Sequence, residues 1–269
     1  MVKAADRAKN PARSSVWLET NKRGRAARGG SGPAGLDRDR IVGTSIRMLD
    51  EEGLAKLSMR RLATELNVTA MSLYWYVDTK DDIIEYALDT CYGEVDLAAV
   101  VAADGWRERI RLLATEYRRM LVRHPWMSAV AGQYLNVGPY AIAVGSEMQR
   151  AVRDTGLPLS RTPSAMSAVF QFVYGYGTLE GQFGRVAQQA GMSQDDFYTD
   201  SVAAFREDEQ FAEALEDMNE VLDERLSHGS VDEIWDRDFD YALDVLIAGI
   251  EVMVERGRAE AAAERGAHG

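Results

Sequence analysis

Residues 57–80 read Leu57-Ser-Met-Arg-Arg-Leu-Ala-Thr-Glu-Leu-Asn-Val-Thr-Ala-Met-Ser-Leu-Tyr-Trp-Tyr-Val-Asp-Thr-Lys80. Two helix starts lie in this stretch, at Ser58 and Thr69, whose side-chain oxygens can accept from the free amides of a first turn. Each is preceded by an apolar residue with a second one five positions on, Leu57 with Leu62 and Val68 with Leu73, the spacing of a hydrophobic staple. The spacing predicts helices over 59–66 and 70–77, joined by Asn67-Val68-Thr69. Asn67 tolerates the left-handed backbone that a three-residue turn needs. Two short helices joined this way form a helix-turn-helix.

The same signals recur on both sides. Leu36 and Ile41 frame a cap at Asp37, opening a helix that buries Ile41, Val42, Ile46 and Leu49 and stops at Gly53. Thr79 opens a fourth helix, with Asp82 as its reciprocal cap. In a helix-turn-helix the second helix enters the major groove with its N-terminal residues at base edges. Leu73 and Val77 face inward, which leaves Ala70, Met71, Ser72, Tyr74, Trp75 and Tyr76 pointing outward or sideways. Ser72, the tyrosine hydroxyls and Lys80 suit base-edge and phosphate contacts, and Arg60 can reach a phosphate or a base. On spacing alone, a compact bundle with these aromatics in its core remains the alternative.

Charge separates the two ends of the chain. Residues 1–80 hold 15 Lys+Arg against 9 Asp+Glu, while 81–269 hold 16 against 34, which returns the overall −12. A basic front on an acidic body points to a polyanion at one end. Residues 1–35 are rich in Gly, Ala, Arg and Ser without periodicity and are expected to be a disordered basic arm. The cluster Lys22, Arg23, Gly24, Arg25 with Arg28 resembles an AT-hook-like minor-groove element; an arm adding only nonspecific phosphate affinity fits equally.

From Leu36 onward the spacing is helical and no run alternates with period two, so an all-α fold is expected. Longer helices are predicted over 106–124, 138–154, 163–188, 202–226 and 233–255. The uncharged stretches 124–146 and 162–179 contain Pro, Asn, Gln, Ser and Thr, and read as core helices rather than membrane spans. No apolar leader opens the sequence, so a cytoplasmic protein is expected. A single Cys91 excludes an internal disulfide framework and any C-x-x-C metal pair, and no cofactor or metal is expected. Of the three histidines, His124 ends a helix, where it reads as a C-terminal cation, while His228 and His268 lie in a Gly-Ser loop and the tail. No nucleophile elbow, zincin motif or phosphate loop is present, so an enzyme is not expected.

The run from Leu57 to Lys80, above all Leu73-Tyr-Trp-x-Val-x-x-Lys80, resembles the DNA-binding signature of the tetracycline-repressor family. The resemblance implies a homodimeric regulator, not an enzyme. It implies double-stranded palindromic operator DNA and a small-molecule inducer as partners, and release of the DNA when the inducer enters a larger helical domain. The expected organisation is then an arm over 1–35, a DNA-binding domain over 36–82, a ligand and dimerisation domain over 83–257 and a flexible tail over 258–269. Arg60, Ser72, Tyr74, Trp75 and Lys80 fall on family DNA-contacting positions. Ala70, Met71 and Tyr76 depart from the tetracycline repressor, which has Gln, Pro and His there, so its operator does not carry over.

The helices over 163–188 and 233–255 are apolar on all sides, and the resemblance makes them a dimer interface, with Gly177 and Gly181 permitting close approach. Tyr117, Trp126, Met127, Tyr134, Tyr140, Phe170 and Tyr174 are candidates for an apolar ligand site, with Gln133, Asn136 and Gln171 as polar contacts. Leu113 falls near the tetracycline repressor's drug-binding Asn, and no His aligns with its magnesium-linked one, so magnesium–tetracycline is not the expected ligand. A bulky aromatic or amphipathic molecule, an antibiotic or its precursor, fits the aromatic content. The competing reading is a ligand-binding protein of the same fold without specific DNA binding.

Overall fold

The computed structural model of the 269-residue chain describes residues 15–18, 35–207, 219–226 and 229–267. Among them every regular element is a helix. The chain divides into two compact units, Met1–Ala151 and Val152–Gly269. The helix-turn-helix lies in the first unit together with the helices up to Ala151.

The first unit opens with α1 (Arg38–Glu52), α2 (Met59–Glu65), α3 (Ala70–Leu73) and α4 (Lys80–Tyr92). All four expected caps form: Asp37, Ser58, Thr69 and Thr79 accept from the amides of Arg40, Arg61, Ser72 and Asp82. Each satisfies a donor that no helical carbonyl can reach. Gly53 ends α1 at φ 79°, ψ 174°, a conformation open in practice only to glycine, and Asn67 takes φ 54° in the turn. On α1, Ile41, Val42 and Leu49 are buried as expected, together with Ser45 and Met48, whereas Ile46 is only half-buried.

Helix α4 carries three buried carboxylates at helical spacing, and each holds a segment outside the helix. Asp82 accepts from the Asp78 amide (2.9 Å) and the Thr79 hydroxyl (2.9 Å), closing the α3–α4 loop. Glu85 accepts from the Ser15 hydroxyl (2.7 Å) and the Val16 amide (3.0 Å). Asp89 accepts from the Ala141 amide (2.9 Å) at the start of α8 (Pro139–Arg153). Burial raises the Asp89 pKa, and the amides of Ala141 and Tyr140 only partly offset it. The expected disordered arm is thus corrected at 15–18: Ser15 and Val16 are buried, and the Trp17 ring sits edge-on to Tyr86 with centroids 5.0 Å apart. The rest of the arm, with Lys22, Arg23, Arg25 and Arg28, lies outside the described residues.

After α4 come α5 (Leu97–Ala102), α6 (Gly105–Arg123) and α7 (Trp126–Ala129); α5 and α7 had no counterpart in the periodicity. His124, the residue after α6, is buried. Its Nδ1 lies 2.8 Å from Asp50 Oδ1 and its Nε2 3.1 Å from Glu94 Oε1, while the Trp126 indole donates to the same Asp50 oxygen (2.8 Å). Burial alone would push the imidazole toward its neutral form. The Asp50 hydrogen bond and the charges of Asp50 and Glu94 outweigh it, so the pKa is raised above the ordinary imidazole value.

The second unit contains α9 (Thr162–Ala190), α10 (Gln194–Glu207), α11 (Asn219–Leu226) and α12 (Val231–Ala267). The helix expected over 202–226 spans parts of α10 and α11, and 208–218 between them lies outside the described residues, as do His228 and His268. Helix α9 ends in a left-handed Gly191 (φ 72°, ψ 24°), with the Met192 amide returning to the Ala187 carbonyl (3.0 Å). Helix α12 opens on a capping box: the Ser230 amide donates to Glu233 Oε2 (2.8 Å) and the Glu233 amide to Ser230 Oγ (3.3 Å). It runs to Ala267, past the expected end at 255, because alanine, glutamate and arginine favour helix over the last turns. The core is aromatic: Phe172 stacks on Phe239 at 5.4 Å, and Tyr176 meets Trp235 and Phe239 edge-on at 5.5 and 5.3 Å. Gly177 and Gly181 are buried in the single chain, so the room they make is not left open for a partner.

Two tests follow from the α4–α8 joint. A Cβ on Gly138 would lie 2.2 Å from the Asp89 carboxyl and 2.7 Å from its Cβ, whereas one on Gly145 meets nothing within 4 Å. Gly138→Ala is expected to lose about 1–3 kcal/mol in denaturant unfolding, and Gly145→Ala to be neutral or to gain up to about 1 kcal/mol. A group with a raised native pKa stabilises fully below its ordinary value, 3.8 for this carboxyl, and loses that contribution as pH rises through the raised value. The unfolding free energy of wild type relative to Asp89→Asn should therefore shift in favour of wild type as pH falls from neutrality. A pH-independent difference would show that burying this charge is fully compensated.

Candidate nucleic-acid interface

The interface is built on a turn too short to leave the helices free. The Val68 amide donates to the Ala63 carbonyl (2.9 Å) and the Asn67 amide to Thr64 (3.0 Å), so the chain leaves α2 already committed to the start of α3. Leu62, Leu66, Leu73 and Val77 are buried beneath it. Helix α3 is shorter than the expected 70–77. It makes one α-turn and then tightens, with amides of Tyr74, Trp75 and Tyr76 donating three residues back to Met71 (3.2 Å), Ser72 (3.4 Å) and Leu73 (2.9 Å). The tightening lets Val77, bonded to the Leu73 carbonyl (3.1 Å), turn back into the core.

Met71, Tyr74 and Trp75 stand out from this turn, 71%, 42% and 54% exposed, while Ala70, Ser72 and Tyr76 are half-buried. The Ser72 hydroxyl lies 2.9 Å from that of Thr69 in the capping pair, and the Tyr76 hydroxyl donates to the Leu36 carbonyl. Lys80 Nζ donates to the Leu54 carbonyl (3.0 Å), tying α4 to the α1–α2 connection. Those three polar ends are thus engaged by other groups of the chain, and sequence spacing did not reveal it. Arg47 is paired with Glu51 and Glu65, and Arg61 with Glu52. Arg60 and Lys56 are exposed and have no acidic partner among the described residues. Lys56, in the α1–α2 connection, carried no motif that would have singled it out.

The ligand-site candidates fall in both units. In the first, Trp126 and Met127 are buried, Tyr117 is half-buried and stacked on Tyr92 (6.2 Å), and Tyr134 donates to Asp81 (3.4 Å). Gln133, Asn136 and Tyr140 are exposed, Gln133 donating to the Ala129 carbonyl (2.8 Å). In the second unit Phe170 and Tyr174 are half-buried on α9, and exposed Gln171 donates to Ser167 (3.0 Å). Among the described residues no helix is long and apolar enough to cross a membrane.

Residues 41–87 match the family model for bacterial regulatory proteins of the tetR family, and residues 101–254 that for the tetracyclin repressor-like C-terminal domain. An HTH-type transcriptional regulator of Saccharopolyspora erythraea is 37% identical over 161 residues, which cover 60% of this chain and 65% of that protein. The chain thus spans just under two thirds of that relative. The HTH-type transcriptional repressor DrrR1 of Streptomyces coeruleorubidus is 28% identical over 227 residues, 84% of this chain and 82% of that one. Among solved structures, the Streptomyces coelicolor TetR family protein ActR in complex with actinorhodin superposes with a TM-score of 0.62 at 26% identity, covering 81% of this chain and 96% of that chain. BioQ with its double-stranded DNA operator shares the fold at a TM-score of 0.52 and 20% identity, covering 80% of this chain and 98% of that chain. With the C-terminal match alone spanning more than half of its length, the chain belongs to the tetracycline-repressor family of bacterial regulatory proteins.

Proposed function

We propose that this protein is a homodimeric transcriptional repressor that binds a palindromic operator through α3 and leaves it when a bulky aromatic or amphipathic molecule binds. The observation that carries the reading is the exposure of Met71, Tyr74 and Trp75 on a helix whose other face, at Leu73 and Val77, is fully buried. Large apolar surface gathered on one short turn is left uncovered when a partner is to cover it. The unpaired Arg60 and Lys56 make that partner a polyanion. Tyr74 and Trp75 then supply apolar and hydroxyl contacts in the groove, Ala70 and Met71 line the base edges, and Arg60 holds a phosphate.

A second copy of the chain fits the second unit. Tyr241 and Val245 of α12 are 73% and 60% exposed, Val252 and Met253 continue the stripe, and Leu179 and Val186 of α9 are exposed as well. A groove of about 1150 Å³ runs between α9 and α12, floored by Ala165, Phe172, Leu246 and Ile250. Packing this face against its two-fold mate would make a helical bundle. Operator binding by such a dimer requires its two α3 helices about 34–36 Å apart, one DNA turn. The inducer class rests on the aromatic candidates, Tyr117, Tyr134 and Tyr140 in the first unit and Phe170 and Tyr174 in the second. DrrR1 is a repressor, which supports repression, and ActR was solved with actinorhodin, which supports a ligand of this kind for the present chain. A ligand that favours a dimer with displaced α3 helices lowers the DNA-competent population.

Selection of the purified protein on random duplex DNA should enrich a palindrome. Tyr74→Ala should then cost roughly 10- to 100-fold in affinity for it. Arg60→Ala should weaken all duplexes alike and lower the salt slope by about one, and neutralising Lys22, Arg23, Arg25 and Arg28 together should lower it further. Enrichment of no sequence would support the ligand-binding protein without an operator. Tyr241→Glu with Val245→Glu should leave the melting temperature nearly unchanged while converting the dimer to a monomer by sedimentation and removing operator binding; a dimer that survives both substitutions places the interface elsewhere.

A further inference from the structure

We infer that Cys91, Glu94 and His124 form a site for a divalent transition-metal ion of the zinc class. The three ligand atoms, one thiol sulfur, one carboxylate oxygen and one imidazole nitrogen, all lie within 4.8 Å of one another. Tetrahedral zinc, with bonds of about 2.0–2.3 Å, holds neighbouring donors roughly 3.3–3.6 Å apart. His124 Nε2 and Glu94 Oε1, 3.1 Å apart, are slightly closer than that, so the cluster needs a small opening of this pair and an approach of the sulfur from within 4.8 Å.

The outer partners of such a site are also in place. Asp50 Oδ1 lies 2.8 Å from His124 Nδ1, and the Trp126 indole donates to the same oxygen at 2.8 Å. A carboxylate on Nδ1 keeps that nitrogen protonated and turns the Nε2 lone pair toward the cluster, the arrangement that orients metal-bound histidines. Arg123 takes the other oxygen of Glu94 (2.5 Å), leaving Oε1 as the inward donor. Cys91 and His124 are buried while Glu94 is exposed, so an ion can enter along the Glu94 side and keep a water in its fourth position. Binding exchanges protons for the ion: the Cys91 thiol proton and the proton shared between Nε2 and Glu94 leave to solvent. Burial favours the neutral thiol, and bond formation to the metal must overcome that.

The ion would join the last turn of α4, at Cys91, to the residue after α6, His124, and Asp50 in the last turn of α1 would be tied in through His124. As a consequence that rests on the regulator reading, occupancy would stiffen the seat of the DNA-binding helices and act as a second input. The site itself is tested without DNA. The reduced full-length protein, titrated with Co²⁺, should bind one equivalent, with a thiolate-to-metal charge-transfer band and tetrahedral ligand-field absorption, both removed by Zn²⁺. Cys91→Ser should abolish the charge-transfer band, Glu94→Gln should weaken binding, and Asp50→Asn should lower affinity roughly 10- to 100-fold. His124 is too deeply packed to carry the test, so Cys91→Ser and Glu94→Gln carry it, each checked for an unchanged melting profile. No thiolate band in the wild type, or a band that persists in Cys91→Ser, overturns the site. Failure to bind any operator would remove the second-input consequence and leave the spectroscopic result as it stands.

Discussion

Three buried carboxylates on one face of α4 are the constraint on which the first unit depends. A carboxylate taken out of water must be met by donors, and here the donors include backbone amides of the α3–α4 loop, of Val16 and of the start of α8. Asp82 takes the loop that follows α3, Glu85 the short segment Ser15–Val16, and Asp89 the start of α8. Because a carboxylate accepts in only a few directions, each segment is held in one position. Helix α4 thereby acts as a spine against which the chain before and after it is registered.

Helix α3 shows why that registration matters. One turn of helix cannot hold itself together in water, since nucleation costs more than a few hydrogen bonds return. It persists because Thr69 caps it, Leu73 and Val77 bury its inner face, and its exit is clamped at Asp78 and Thr79 by Asp82. The outcome is a projection held at its cap, its inner face and its exit, and it carries the exposed Met71, Tyr74 and Trp75. The half-buried Tyr76, its hydroxyl on the Leu36 carbonyl, ties the same projection to the beginning of α1.

The second unit is held by a different kind of contact. Phe172, Tyr176, Phe183, Trp235 and Phe239 form a chain of edge-on and stacked rings between α9 and α12, and α10 adds Phe197 and Tyr198 to it. Such a core is apolar, tolerant in detail and not saturated: the next face of α12 remains uncovered at Tyr241, Val245 and Met253. The first unit uses its buried carboxylates for internal order, whereas the second keeps an apolar face of α12 exposed.

What the sequence determined by itself was local. The caps at Asp37, Ser58, Thr69 and Thr79 and the left-handed Asn67 were legible because each is an interaction within four residues, and the Leu73–Lys80 run carried the family in the same way. The all-α class followed from periodicity. The tertiary structure alone decided that α3 is a single tightened turn, that Lys80 and Tyr76 turn their polar ends to backbone carbonyls, and that Ser15 docks on Glu85, contacts that span 26, 40 and 70 positions. It also brought His124 to Asp50 and Glu94 across 74 and 30 positions, where one-residue spacing rules see only a helix end. Which carboxylate meets which donor is set by how helices pack in space, and no periodicity along the chain records that.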